Sequence, residues 1–240
     1  MTDDRDFNGA GEMILVDKPR EWTSFDVVRK VRNLFDIKKI GHAGTLDPLA
    51  TGLLILCTGP KTKELNVMLD KDKTYTGSFE IGSETASYDL ETEVIERKPW
   101  SHVTEEMMQE TIDGFRGEQE QIPPMYSALK HKGRALYKYA RAGKSVDRPP
   151  RRVTVHEFTL TKMELPSTWF SLRCSKGTYV RSIIHDIGQT LETGAVLTSL
   201  RRETIGEWHI RDAYTVDQLI ALRGDSDITR SSAHGTVVHS

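Results

Sequence analysis

Residues 41–54 restrict this chain more than any other stretch: Gly41-His-Ala-Gly-Thr-Leu-Asp47-Pro-Leu-Ala-Thr-Gly-Leu-Leu54. Glycines at 41, 44 and 52 permit positive φ and the close approach of another backbone or a ligand. Pro48 pushes Asp47 out of the α region. The segment then runs into Leu53–Cys57, an apolar stretch of strand length. A single acid on a constrained loop beside a buried strand suits a catalytic carboxylate. On local physics alone the same residues suit an ordinary Asx-turn closed by Asp47 better.

At 240 residues the chain is long enough for one large domain or two small ones. No apolar run approaches the ~20 residues needed to span a bilayer, and the acidic start, Met1-Thr-Asp-Asp-Arg-Asp, lacks the apolar region of a signal peptide. Cys57 and Cys174 are far apart and without metal-ligand spacing, so they read as reduced core thiols of a cytoplasmic protein with no metal site. A formal net charge of −2 argues mildly against a nucleic-acid binder, but the charge is unevenly spread. Between Leu129 and Arg152 lie Lys130, Lys132, Arg134, Lys138, Arg141, Lys144, Arg148, Arg151 and Arg152, opposed only by Asp147 and interleaved with His131, Tyr137 and Tyr139. Such a patch can neutralise phosphates locally whatever the global charge. The plainer alternative is a solvated helix face. Acids gather at 89–96 and 105–120, expected to face away from RNA.

Met13–Val16 reads as a strand. Thr23-Ser-Phe-Asp26 resembles a capping box ahead of Val27, Val28, Val31, Leu34 and Phe35 at helical spacing. Leu53–Cys57 reads as a buried strand and Thr74–Ile81 as a half-exposed one. Met108, Ile112 and Phe115 share one helix face, ending before Gly117. Val153–Met163 and Trp169–Cys174 read as strands about a turn at Pro166. Val180, Ile183, Ile184, Ile187 and Leu191 mark a helix that Gly188 weakens, and Thr215–Gln218 opens another helix through Leu222. Strands and helices without strict alternation predict an α+β fold, with a mixed or antiparallel central sheet flanked by helices. Residues 1–10 read as a flexible leader, 11–223 as the domain, and 224–240 as a disordered tail.

The 41–54 segment resembles the catalytic motif of the TruB family of pseudouridine synthases. Other segments match in order: Leu15-Val-Asp-Lys18-Pro19 with Thr23-Ser24, Lys73-Thr-Tyr75, Ile122–Ala128 with Lys130, Gly133–Tyr137, Cys174–Arg181, and Leu200-Arg201-Arg202. The resemblance spans roughly residues 11–222. It implies an isomerase that converts the T-loop uridine at tRNA position 55 to pseudouridine by base flipping. It needs no ATP, redox cofactor or metal. The expected partner is the tRNA T-arm, with no membrane and no guide RNA, and the protein is expected to be a monomer. Too few residues follow Leu222 for the C-terminal PUA-type RNA-binding domain that many such proteins carry.

The resemblance also assigns roles. Asp47 matches the essential carboxylate, with attack as a nucleophile and abstraction of a sugar proton both left open. Arg181 matches the arginine that pairs with the acid, and a guanidinium neighbour favours the ionised form of a carboxylate. Tyr75 matches the tyrosine that stacks on the flipped uracil. His42 matches the histidine that enters the RNA loop, and Tyr179 and Leu200 match pocket-lining positions. Lys18 and Lys130 fall in the substrate-side motifs, Lys18 with Pro19 more as a prop of the catalytic loop. Three positions depart from the family pattern: Glu21 where glycine is usual, Ser87 within a T-x-T-x-D stretch, and Val196 where histidine is frequent. They put RNA-contact details in question and leave the acid, tyrosine and arginine untouched. Two rivals remain: a non-catalytic module that remodels tRNA by binding, and a related synthase acting on another RNA. A phosphate-loop or dinucleotide reading of the glycines fails for want of either motif.

Overall fold

The computed structural model describes residues 6–223. The described residues divide into two compact units, one formed by residues 6–70 and 202–223 and the other by 71–201. The expected tail, 224–240, lies outside the described residues.

The first unit opens with β1 (Met13–Lys18), α1 (Ser24–Leu34), β2 (Ile40–Ala43), β3 (Thr51–Thr58) and α2 (Leu65–Leu69). β1 runs antiparallel to β3, with Met13 opposite Cys57 and Lys18 opposite Gly52, and β2 covers part of β3 with His42 opposite Leu56. The uninterrupted apolar run of β3 has a physical reason. Leu54 and Leu56 enter one core with Ile14, Val16, Val27, Val28 and Val31. Leu53, Ile55 and Cys57 enter a second core with Ala43, Met68 and Ile205. Alternate side chains of a strand point to opposite faces, so a strand buried on both faces must be apolar throughout.

The capping box of α1 is present in full: Asp26 N–H donates to Thr23 Oγ1 at 3.0 Å and Thr23 N–H to Asp26 Oδ2 at 3.0 Å. Residues 6–10, expected with the flexible leader, contribute Phe7, which is buried and packs against Phe35 at 4.9 Å between ring centroids. Asn8 adds two hydrogen bonds, donating from Nδ2 to Asp36 O at 3.1 Å and accepting at Oδ1 from Lys38 N–H at 2.8 Å.

The second unit begins with β4 (Lys73–Ile81), β5 (Ser83–Thr85), β6 (Val94–Arg97), α3 (Glu105–Gly114) and β7 (Gly117–Gln121). A small hairpin follows, β8 (Lys130–His131) and β9 (Arg134–Ala135), then α4 (Leu136–Ala140), β10 (Arg151–Glu164), β11 (Ser167–Cys174), α5 (Val180–Thr190) and the start of β12 (Ala195–Ile205). β4, β11, β10 and β7 form successive antiparallel pairs; Tyr75 lies opposite Leu172 and Arg151 opposite Gln121. Phe79, Phe158 and Phe170 fill the interior. Gly188 does more than weaken α5. A Cβ there would come within 2.2 Å of the Ala195 nitrogen, so the glycine lets the helix lie directly against the start of β12.

The chain returns to the first unit within β12, then forms β13 (Trp208–His209) and β14 (Tyr214–Thr215), the latter parallel to β1. Residues 216–223 are helical, opened by the reciprocal Thr215–Gln218 capping bonds. Antiparallel ladders with one parallel pair, packed with helices, make the α+β fold that the pattern predicts. No helix among the described residues is long and apolar enough to cross a membrane.

Candidate active site

Asp47 sits between β2 and β3 on a loop, residues 44–50, that has no regular secondary structure. Backbone groups outside helices and sheets need other partners, and here buried side chains supply them. Lys18, at the end of β1, is wholly buried, and its Nζ donates to Pro48 O at 3.1 Å, Pro19 O at 3.0 Å and Trp22 O at 2.5 Å. Arg202, 2 % exposed, donates from Nη2 to Gly44 O at 2.8 Å and from Nε to Leu53 O at 2.7 Å. Ser24, the first residue of α1, accepts from Leu46 N–H at 2.9 Å. β1, α1 and β12 thus each reach one part of the loop. Gly52 has φ 103°, and a Cβ on it would meet the Arg202 carbonyl at 2.4 Å, so glycine is required for this approach.

The turn before α1 answers one departure from the family pattern. Glu21 adopts φ 69°, the left-handed conformation for which glycine is suited, and its N–H donates to Pro48 O at 2.8 Å. A glutamate holds this conformation at the expense of local strain.

Electrostatically the loop is a site of opposed charges. Burial pushes the Lys18 ammonium down to about 8; the charge of Asp47 favours protonation and that of Arg202 opposes it. His42, on β2, is half-buried and bonded to Thr45 Oγ1 at 3.2 Å. Burial, then the nearby Arg202 charge, lower its pKa and favour the neutral imidazole. Lys18, placed by its motif on the substrate side, has its Nζ bonded to three carbonyls; what it does in this structure is hold the loop.

In the second unit, Tyr75 lies on β4 and is 8 % exposed, presenting little surface. Tyr179 is the N-cap residue of α5, and its backbone is held on both sides by the buried Gln121 side chain, at 2.7 Å to N and 3.1 Å to O. Arg181 stands in the first turn of that helix. Its Nη1 donates to Ser87 O at 2.7 Å and its Nη2 to Tyr126 O at 2.8 Å, while Asp89 Oδ2 lies 3.6 Å from Nε. Each edge of the guanidinium fork therefore meets a fixed acceptor. Leu200, on β12, is buried.

Lys130 and Lys132 are exposed on the β8–β9 hairpin, and Lys144 is exposed after α4. Other cations of the basic segment have partners within the protein. Arg141 forms a 2.8 Å ion pair with Glu91 and lies over the Tyr137 ring; Arg148 donates to Pro123 O at 3.1 Å. Arg134 lies 5.0 Å from the Tyr139 ring centre.

Lys18, Asp47 and Arg202 are brought together in one unit, and Tyr179 with Arg181 in the other. Three supporting residues receive no role from the sequence. Asp89 opens a stretch of acids expected to face away from RNA, and it is buried beside Arg181. Gln121 carries no motif. Arg202, charged and amid polar neighbours, gives no sign in the sequence of its burial against the loop. The position of Asp89 two residues after Ser87, in the T-x-T-x-D stretch, is the available signal.

Comparison with known proteins agrees with this architecture. A model of the TruB family pseudouridylate synthase N-terminal domain matches residues 32–180. The tRNA pseudouridine synthase B of Flavobacterium johnsoniae is 46% identical over 213 residues, covering 86% of this chain and 93% of that protein. The protein of the same name from Chloroherpeton thalassium is 48% identical over 215 residues, covering 88% and 89%. Among solved structures, the crystal structure of a Cbf5–Nop10–Gar1 complex is similar with a TM-score of 0.67 and 26% identity, over 87% of this chain and 53% of the other. The family model spans well over half of the sequence and the relatives nearly all of it, so the chain belongs to the TruB family of pseudouridylate synthases.

Proposed function

We propose that this protein isomerises the T-loop uridine at position 55 of tRNA to pseudouridine. Asp47 is its catalytic carboxylate, with Tyr75 and Arg181 in the roles that the resemblance gives them. The reading rests on relatives named tRNA pseudouridine synthase B that align over almost the whole chain. The observation that carries it at the level of chemistry is the Asp47 loop, whose carbonyls are bonded by two buried cations, Lys18 and Arg202. Those bonds fix the backbone on either side of the acid before substrate arrives, so little reorganisation is left for the reaction.

The reaction breaks the N1–C1′ bond, turns the base and rejoins it through C5, with no net loss or gain of atoms. It requires a carboxylate beside the sugar and a base withdrawn from its stack. Tyr75 supplies an aromatic face for that base. The exposed lysines of the β8–β9 hairpin supply cations for phosphates. Incubation of the purified protein with unmodified tRNA, followed by mapping of pseudouridine, tests the reading. Modification confined to position 55 is the expected result; modification elsewhere or none overturns it.

A further inference from the structure

Arg181 is held by two groups from one short segment, the Ser87 carbonyl and the Asp89 carboxylate. Between them stands Tyr88, with φ 66°. A bulky residue in the left-handed region is an outlier that persists only where its surroundings enforce it. Here the surroundings can be named. The Tyr88 ring is stacked on the imidazole of His185 at 3.9 Å between centroids and 13° between planes. Its carbonyl accepts from Leu197 N–H at 3.0 Å, and its N–H donates to Thr85 O at 3.2 Å. His185 lies on α5, four residues after Arg181, and residues so spaced share a helix face. One helix therefore carries both the guanidinium and the platform that fixes its acceptors.

The His185 Nδ1 is buried without a hydrogen-bond partner among the described residues. Stacking, rather than a hydrogen bond at that nitrogen, holds the ring. The charged groups that act on the pair are Glu84 and Lys98 at His185, and Arg148, Asp186, Glu84 and Arg181 at Tyr88.

We propose that Tyr88 and His185 are positioning residues for Arg181: their stacked rings lock the 87–89 turn in its left-handed form, so that both acceptors stay aimed at the guanidinium. The proposal rests on the reading above, in which Arg181 serves the isomerisation. Neither ring need touch the uridine. The effect is on the rate of the chemical step, because sub-ångström misplacement of a charged group lowers rates steeply.

Single-turnover rates, tRNA dissociation constants and melting temperatures of four variants test this: Arg181→Met, Tyr88→Gly, Tyr88→Phe and His185→Phe. Glycine suits the backbone at position 88, so Tyr88→Gly removes the stack without adding strain. It should be slowed about ten- to hundredfold, with tRNA affinity and melting temperature little changed. The two phenylalanine variants keep a stacked pair and should stay within a few-fold of the wild-type rate. A slow Arg181→Met beside a Tyr88→Gly of normal rate overturns the proposal and leaves the functional reading standing. An Arg181→Met of normal rate overturns the proposal together with the role given to Arg181, and leaves the isomerisation itself standing. Loss of affinity in step with rate in Tyr88→Gly makes Tyr88 an RNA contact, and a Tyr88→Phe as slow as Tyr88→Gly assigns the effect to the hydroxyl; either outcome overturns positioning.

Discussion

Between Gly44 and Ala50 the backbone has no regular structure, and between Lys130 and Pro150 it has only a hairpin of two-residue strands and a five-residue helix. Both stretches carry residues with expected functions. In the first, the charges are inside: Lys18 and Arg202 direct their donors at loop carbonyls and are nearly or wholly buried. In the second, the charges are outside, on lysines 130, 132 and 144, while arginines 134, 141 and 148 are bonded within the protein. A buried cation bonded to carbonyls fixes geometry. An exposed cation on a short hairpin offers charge at no fixed position. The difference matches the demands of the proposed reaction, which needs an acid placed to within a fraction of an ångström but phosphate contacts of long range and loose geometry.

The largest expected effect separates the two regions outright. Asp47→Asn should abolish pseudouridine formation while tRNA binding stays nearly intact, because the amide keeps the shape and removes the charge. Turnover near the wild-type rate in that variant would remove Asp47 from the chemistry. The hairpin should respond in the opposite way. A triple alanine variant at Lys130, Lys132 and Arg134 should bind tRNA more weakly at low salt and flatten the dependence of log K on log salt, by somewhat under one unit for each phosphate no longer neutralised. Its turnover at saturating tRNA should be largely preserved. An unchanged slope would mean that these side chains face solvent. Arg141→Ala, which breaks an ion pair with Glu91, should flatten the slope less than removal of the Lys130 charge.

A third measurement sharpens the claim that the loop's charges are interior. The Lys18 pKa lies at about 8, below its ordinary 10.5. Between those values the unfolded chain holds the proton more tightly than the folded one, so unfolding free energy should rise with pH across that window. The rise should be at most about 3 kcal/mol. Below pH 8 both states carry the proton and the charge-burial cost is constant. Urea unfolding from pH 8 to 10 in wild type and Lys18→Met should give curves that diverge, the variant lacking this slope. Parallel curves would show a lysine that titrates normally. The smallest effect belongs to the turn beside the loop. Glu21→Gly should raise stability by at most about 1 kcal/mol, relief of the left-handed strain being partly offset by the greater freedom of glycine in the unfolded chain. A drop in stability there would show that the glutamate side chain holds the turn.

Much of this is legible from residues near one another in the chain. The Thr23–Asp26 cap, the α1 stripe and the unbroken apolar run of β3 are local patterns, and each forms as its spacing indicates. β12 escapes notice for a physical reason. Its sequence, with Arg201, Arg202 and Glu203 in the middle, reads as polar, yet Arg202 points inward and is satisfied by carbonyls far away in the sequence. The two-residue strands of the hairpin are too short to show a period. Arg181 can be found by its motif and Asp89 by its place in the T-x-T-x-D stretch, but the Ser87 and Tyr126 carbonyls cannot, because a backbone carbonyl leaves no mark in composition. The departure at Glu21 is visible in the sequence, and the strained turn that results from it is not.

Arg202 also sets an order of events during synthesis. Its bond to the Gly44 carbonyl joins residues 158 apart, and the unit that holds the Asp47 loop is made from residues 6–70 and 202–223. A nascent chain that has reached the end of α5 has already produced the loop, Lys18 and Ser24, yet the arginine is still to be translated. The acid leaves the ribosome well before the arginine that locks its loop. Proteolysis or hydrogen exchange on stalled chains should therefore find the loop open in every length that stops short of β12.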